Sequence, residues 1–264
     1  MISLTILKTI NKLFPPKKVE GRKSPQEYSL AEYGWAKRDY ERYKDILPLK
    51  DKIVLDAGCG LGGRTAYYSE KGATSIVGID MDESHIKYAR EFAEFKKIKN
   101  TTFQVANFID IPLESDQFDV IILNDVMEHI RIDYLERALP ELRRVLKPGG
   151  RLFLEFPPWT SPFAAHLYDQ ISIPWCQFLF REKTLLKFIE TKSTGTRMGN
   201  LSSIEHFKEL NRLNKKPFIK MMKRLDFVEV HFRQVIIKNL NFLKVIPGIS
   251  ELATNRIVAV YTKK

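Results

Sequence analysis

Three kinds of residue concentrate the chemistry of this chain: a cluster of glycines, a pair of aspartates and a few histidines. The run Ile53-Val54-Leu55-Asp56-Ala57-Gly58-Cys59-Gly60-Leu61-Gly62-Gly63 carries a short apolar segment into a glycine-rich turn. Without side chains, glycines let the backbone turn sharply and bring its N–H groups close to a ligand. Gly58, Gly60 and Gly63 satisfy G-x-G-x-x-G, the dinucleotide pattern, which is weak by itself. Asp56 departs from it, because dinucleotide folds keep an apolar or small residue two places ahead of the first glycine. A second acid, Asp80, closes the apolar run 76–79. His129 follows Glu128 after the apolar run 118–123, and His166 and His206 lie further on. Imidazoles can move protons near neutral pH. Cys59 and Cys176 are far apart and form no C-x-x-C pair, so neither a disulfide framework, a zinc site nor any other metal is expected.

These residues need a frame. Apolar runs at 52–56, 76–79, 102–105, 118–123 and 151–156 read as strands, with helical patterns at 62–71, 83–97 and 133–146 between them. Apolar strands alternating with helices predict a parallel sheet covered on both faces. Lys147-Pro148-Gly149-Gly150 stops the last helix of that series. Ahead of it, Ile6, Leu7, Ile10, Leu13 and Phe14 stand at helical spacing until Pro15-Pro16, and 26–47 reads as a helix running to Pro48. Residues 157–200 bring Trp159, Phe163, Tyr168, Trp175, Phe178 and Phe180 together among prolines. So long a connection suggests a functional insertion. A helical region at 203–224 and strands at 227–237 and 256–261 close the chain. The expected organisation is an amphipathic arm and linker (1–25), a ligand-binding core (26–157), a lid insertion (158–202) and a C-terminal helix with closing strands (203–264).

The chain has 264 residues, 44% hydrophobic and 28% charged, enough to bury a core without staples. Its net charge of +11 is uneven: +5 over 1–50, −4 over 51–150, +2 over 151–200 and +8 over 201–264. The basic ends favour an anionic partner, a phosphorylated or carboxylated substrate, a membrane surface or nucleic acid, unless they are only a solvated surface. The N-terminal helix, with Lys8 and Lys12, either packs on the domain or lies on anionic lipid through residues 1–16. The lysines interrupt any signal-peptide core, and prolines make 156–180 a poor membrane span. A cytoplasmic protein, peripheral at the inner membrane face if that helix meets lipid, is the expectation.

Four segments together resemble the class I S-adenosylmethionine-dependent methyltransferases. Val54 to Gly63 resembles their first motif, an acid followed by G-x-G-x-G, and Ile76-Val77-Gly78-Ile79-Asp80-Met81 their second. Phe118 to Ile130 resembles the fourth-strand motif of the small-molecule branch that includes the ubiquinone and menaquinone enzymes. Leu142 to Leu152 resembles the turn into the fifth strand. The match covers about 52–157, and four motifs in order are far more specific than one. The resemblance implies a Rossmann-like α/β fold: a seven-stranded, mostly parallel sheet, helices on both faces, and a helical, aromatic insertion after the fifth strand. It implies S-adenosyl-L-methionine as cofactor and S-adenosyl-L-homocysteine as product. On that basis Asp80 accepts both ribose hydroxyls and Met81 lies against adenine, while Asn107 and Phe108 stand near the adenine edge. Relatives often have an acid where this chain has Asn107, which also suits a plain turn. Asp56 is expected near the methionine amino end with Asn124 below it, and Gly58, Cys59 and Gly60 form the turn.

A sulfonium methyl is already electrophilic, so positioning supplies much of the rate. A hydroxyl or acidic carbon acceptor would also need a base. His166, within the aromatic insertion, and His129 are the candidates, with His206 a distant third. The family context also allows a framework role for His129. Trp159, His166, Tyr168 and Trp175 are expected to line a dry acceptor pocket. The acceptor expected is a small or lipid- or sugar-linked molecule, methylated on oxygen or carbon. Nucleic-acid methylation is the rival suggested by charge. Yet Asn124-Asp125-Val126-Met127 is not the N-P-P-Y type, and Phe156-Pro157-Pro158-Trp159 follows the wrong strand. A nicotinamide-dependent oxidoreductase and a non-catalytic cofactor-binding protein are further alternatives.

Overall fold

The computed structural model describes residues 3–16, 24–191, 203–237 and 249–264. Seven strands form one sheet: β1 (Ile53–Ala57), β2 (Ser75–Asp80), β3 (Thr101–Val105), β4 (Phe118–Asn124), β5 (Leu146–Phe156), β6 (Phe227–Ile236) and β7 (Thr254–Lys263). Their order is β3-β2-β1-β4-β5-β7-β6. Every pair is parallel except those made by β7, which runs antiparallel to β5 and β6. The expected seven-stranded, mostly parallel sheet is therefore observed.

The central strands show why. In β4, Phe118, Ile121 and Leu123 enter one apolar core while Val120 and Ile122 enter another on the opposite face. In β1, Leu55 and Ala57 point to the first core and Val54 to the second. A strand apolar on both sides is stable only with both faces covered. Helices α2 (Pro25–Tyr43) and α3 (Gly63–Ser69) contribute Ala36, Tyr43, Tyr67 and Tyr68 to the second core. Helices α5 (Ile132–Val145) and α9 (Lys215–Arg224) contribute Leu135, Leu139, Leu142, Phe218 and Met222 to the first. Helix α4 (Glu83–Phe95) lies against β3 in a smaller cluster with Phe103, Ile86 and Ala89.

The helix expected over 203–224 is interrupted. Helix α8 (Ser203–Glu209) ends before an irregular stretch, and α9 starts at Lys215. Asn211 causes the break. Its backbone N–H donates to Glu128 O at 2.9 Å, and its side-chain Nδ2 donates to Met127 O and Ile130 O at 2.6 and 2.7 Å. Those bonds tie the stretch to the short 3₁₀ turn Met127–His129 after β4.

A third core collects Ala165, Leu167, Ile171, Cys176 and Phe180 with Leu185, Phe188 and Ile189 of α7 (Glu182–Glu190) and Phe207 of α8. Helix α1 (Leu4–Leu13) docks here by burying Leu7, and Asn11 Nδ2 donates to Gln170 O at 2.8 Å. Ile6, Leu13 and Phe14 of the same segment remain exposed. Of the lid insertion expected over 158–202, residues 192–202 lie outside the described residues, as do residues 238–248 between the two closing strands. No helix among the described residues is long and apolar enough to cross a membrane.

Candidate active site

The strand order reverses at β1, between β2 and β4, and the carboxyl ends of these strands border a cleft of about 1080 Å³. Open α/β sheets bind ligands at this switch point. Gly58, Gly60, Asp80, Met81, Phe108, Asn124 and Asp125 all line the cleft.

The glycines do different work. Gly58 has φ +81°, and a Cβ there would sit 2.5 Å from Val126 Cγ2. Gly60, at φ +52°, donates its N–H to Asp80 Oδ2 at 3.0 Å, so the loop and the β2 acid are tied together. Gly62, also left-handed, lies against Ala89 of α4, and Gly63 leaves no room between α3 and Ser29 of α2. The first two glycines shape the cleft, and the last two pack helices.

Asp80 Oδ1 accepts from Asp82 N at 3.0 Å and lies 3.3 Å from His85 Nδ1. Asp82 in turn caps α4, accepting from Ser84 N at 2.8 Å. The carboxylate is thus fixed at the strand end, partly exposed to the cleft. Met81 beside it is 62% exposed and lines the cleft.

Asp56 lies deeper, 3% exposed, and accepts from Thr65 Oγ1 at 2.6 Å. Burial pushes its pKa up to about 6, although the Thr65 hydroxyl and the Arg64 charge oppose the shift. It supports the loop from beneath and is absent from the cleft wall. Cys59, likewise buried, packs with Ile86 and Phe103. Asn107 is exposed outside the cleft, and its Oδ1 accepts from Ile109 N at 3.2 Å, the turn-forming use its type allows. Asn124 Nδ2 donates to Tyr68 Oη at 2.6 Å, while its buried Oδ1 has no hydrogen-bond partner.

Helix α2 supplies a wall that the sequence analysis leaves without a role. Tyr28, Glu32, Trp35, Asp39 and Tyr43 line the cleft at helical spacing, and that stripe is the signal that could have found them. Glu32 Oε2 is buried without a partner, and burial, opposed by Arg64, raises its pKa to about 7. Within the cleft lining, Arg64 pairs with Asp125 at 3.1 Å and with Asp39 at 3.6 Å. Arg256 pairs with Asp125 and, at 3.7 Å, with Glu155. Burial alone would raise Asp125, but Arg256 and Arg64 hold it down at about 2. Asp125 adopts a left-handed φ of 55°, uncommon for any residue other than glycine and typical of a tight functional turn.

The 3₁₀ turn after β4 presents Glu128 and His129. Glu128 is 4% exposed, and burial followed by the nearby Asp125 charge raises its pKa well above the usual carboxylate range. Its Oε1 lies 3.7 Å from His129 Nε2 and 3.8 Å from His166 Nε2. The His129 and His166 rings meet edge to face with centroids 4.9 Å apart, and His206 joins them from α8. All three line the cleft. Nothing in their spacing along the chain announces this meeting.

Of the four residues expected at an acceptor pocket, His166 and Tyr168 line the cleft, with Pro157, Ser161 and Phe163 beside them. Trp159 and Trp175 do not. Trp159 packs between Phe178 and Phe207 with Arg212 over its ring. Trp175 donates Nε1 to Thr160 O and Leu252 O, both at 3.2 Å. Their indoles hold the segment together because each finds its partners within the protein.

A parallel sheet with a glycine loop at its switch point, and an acid closing the neighbouring strand over an open cleft, is the arrangement by which open α/β sheets bind nucleoside cofactors. Comparison with known proteins narrows the class. Residues 55–154 match the family model described as a methyltransferase domain. A ubiquinone biosynthesis O-methyltransferase from Coxiella burnetii is 33% identical over 122 residues, 46% of this chain and 50% of that protein. A chloroplastic tocopherol O-methyltransferase from Arabidopsis thaliana is 33% identical over 106 residues, 40% of this chain and 30% of that protein. The chain thus spans half or less of the length of these curated relatives. A solved protein from Pyrococcus horikoshii shares the fold over 97% of this chain and 99% of its own, with TM-score 0.58 at 22% identity. So does geranyl diphosphate C-methyltransferase from Streptomyces coelicolor, solved with Mg²⁺, geranyl diphosphate and S-adenosyl-L-homocysteine. It covers 95% of this chain and 89% of its own, with TM-score 0.60 at 15% identity. Residues 55–154 thus resemble a methyltransferase domain, and the curated relatives matched over this part of the chain are ubiquinone biosynthesis and tocopherol O-methyltransferases.

Proposed function

We propose that the whole chain is an S-adenosylmethionine-dependent methyltransferase that moves a methyl group to an oxygen or carbon of a small acceptor, anionic or linked to lipid or sugar. The single observation that carries this is the cleft. Its cofactor wall of Gly58, Gly60, Asp80 and Met81 is continuous with a second wall of Ser161, Phe163, His166 and Tyr168, so cofactor and acceptor share one space. Asp80 accepts the ribose hydroxyls, and Met81 and Phe108 cover the base. The Glu32 carboxylate, whose buried Oε2 has no hydrogen-bond partner, faces the positive methionine end. His166 or His129, backed by Glu128, takes the proton of a hydroxyl acceptor while the methyl passes in line from sulfur to oxygen.

The relatives, a ubiquinone biosynthesis and a tocopherol O-methyltransferase, support a small-molecule acceptor methylated on oxygen. The exposed Ile6, Leu13 and Phe14 beside Lys8 and Lys12 support delivery from an anionic membrane surface. Residence in the cytoplasm at the inner membrane face is part of the proposal, supported by the free thiols Cys59 and Cys176.

The test is formation of S-adenosyl-L-homocysteine from S-adenosylmethionine in the presence of phenolic and quinol acceptors, with the product read as a methyl mass gain. His166→Ala should lower turnover while cofactor affinity stays near normal. Cofactor binding without turnover on any acceptor class would reduce the protein to a cofactor-binding one. Unchanged vesicle binding after removal of residues 1–16 would refute the membrane contact.

A further inference from the structure

Three imidazoles from three separate elements converge on one wall of the cleft. His129 ends the 3₁₀ turn after β4, His166 stands in the connection after β5, and His206 lies on α8. One ring nitrogen of each lies within 4.8 Å of the other two. Beside them is the Glu128 carboxylate, neither of whose oxygens receives a hydrogen bond. A buried carboxylate without donors is costly unless a cation stands next to it. Here the groups facing it at 3.7 and 3.8 Å are two of the same imidazoles.

The cluster is held in place from outside. Asn211, just beyond α8, clamps the carbonyls of Met127 and Ile130, so the turn bearing His129 and the helix bearing His206 are fixed to each other. His166 takes a left-handed φ of 53° and donates its N–H to Phe163 O at 3.0 Å. A non-glycine residue in that region is strained, and such positions gather at functional sites.

We propose that His129, His166 and His206 form a binding site for one divalent transition-metal ion of the zinc class, with Glu128 as its counter-charge and one coordination position open to the cleft. Imidazole nitrogens suit zinc, cobalt, iron, nickel or copper, whereas magnesium and calcium prefer oxygen. Three histidines with a vacant fourth position make an open, catalytic kind of zinc site. At metal–nitrogen distances of about 2.1 Å, tetrahedral ligand atoms stand roughly 3.4 Å apart, so the rings must close by only about 1.4 Å. With three neutral imidazoles and one carboxylate, the ion keeps a net positive charge toward the cleft. There it seats the acceptor's hydroxyl oxygen and lowers its pKa. With their lone pairs on the ion, His129 and His166 no longer serve as the base; the proton leaves to solvent, and the oxygen attacks the sulfonium methyl. The C–S electron pair stays on sulfur. This role rests on the methyltransferase reading, whereas ion binding itself does not.

The experiment uses the full chain without a histidine tag, stripped with a chelator and titrated with Co²⁺. We expect visible d–d absorption saturating at one Co²⁺ per chain and reversed by Zn²⁺. His166→Gln and His206→Gln should each weaken Co²⁺ binding at least 100-fold while S-adenosylmethionine affinity stays within about twofold. Asp80→Ala should lose cofactor affinity and keep the Co²⁺ spectrum, so failure of the cofactor assignment is separable from failure of the metal site. A chain that gives no d–d band up to millimolar Co²⁺ would overturn the proposal, and so would binding that survives both histidine substitutions. Should the variants misfold, ¹⁵N spectra of the unaltered chain decide. Zn²⁺ must shift the ring nitrogens of three of the five histidines, and an unperturbed spectrum refutes the site.

Discussion

Removing the carboxylate of Asp80 offers the most direct perturbation of the proposed cofactor site. Its two oxygens are oriented before any ligand arrives, by Gly60 N at 3.0 Å and Asp82 N at 3.0 Å. The remaining lone pairs face the cleft. Two ribose hydroxyls donating to an ionised carboxylate form charge-assisted bonds worth about 1.5–3 kcal/mol each before losses. Allowing for water that refills the gap, Asp80→Ala should cost about 1.4–2.8 kcal/mol, a 10–100-fold weaker dissociation constant. Asp80→Asn keeps the volume but turns one acceptor into a donor that must face the cleft or a backbone N–H, so it should also weaken binding. Both variants lose part of the loop's internal support, at about 1 kcal/mol per hydrogen bond. Affinity must therefore be read by calorimetry far below the unfolding transition, with circular dichroism confirming the fold. If folded Asp80→Ala bound S-adenosylmethionine within twofold of the unaltered chain, the assignment of this acid to the ribose would be wrong.

Gly58→Ala should destabilise the chain by about 1–3 kcal/mol in urea unfolding, because it combines a φ of +81° with a Cβ 2.5 Å from Val126 Cγ2. Adding Val126→Ala should recover only part of that loss, since it removes the clash and leaves the backbone strain. Asp56 gives a pH prediction. With its pKa raised by burial from 3.8 to about 6, its contribution to stability is fully present below pH 4 and is lost as pH rises through about 6. Asp56→Asn, neutral at every pH, should therefore gain stability relative to the unaltered chain on going from pH 4 to pH 8, by urea midpoint. An unchanged difference would mean that the carboxylate is better solvated than its burial implies. Asn211→Ala should cost about 1–3 kcal/mol by leaving the Met127 and Ile130 carbonyls without their donor. It should also lower turnover more than cofactor affinity if the His129 turn serves the acceptor side. Equal effects on both would argue for a purely structural clamp.

The sequence by itself determined the core and the cofactor edge. Strand periodicity, the glycine turn and the acids at 56 and 80 are local patterns, and a strand apolar on both faces has few ways to be buried. Local spacing therefore sufficed to find β1 to β5 along the chain and to single out Gly58, Gly60, Asp80 and Met81, which the fold brings to one cleft. Tertiary structure alone decided which residues of the long connection face that cleft. Trp159 and Trp175 turned to packing partners and carbonyls within the protein, while Phe163 and Tyr168 were left exposed on the cleft wall. It alone broke the helix at Asn211, since the carbonyls that capture that side chain belong to a turn more than 80 residues earlier. It also gathered His129, His166 and His206 about one carboxylate. Contacts between residues so far apart in the chain leave no periodicity to read, because they are set by where whole elements dock and not by the few residues around each histidine.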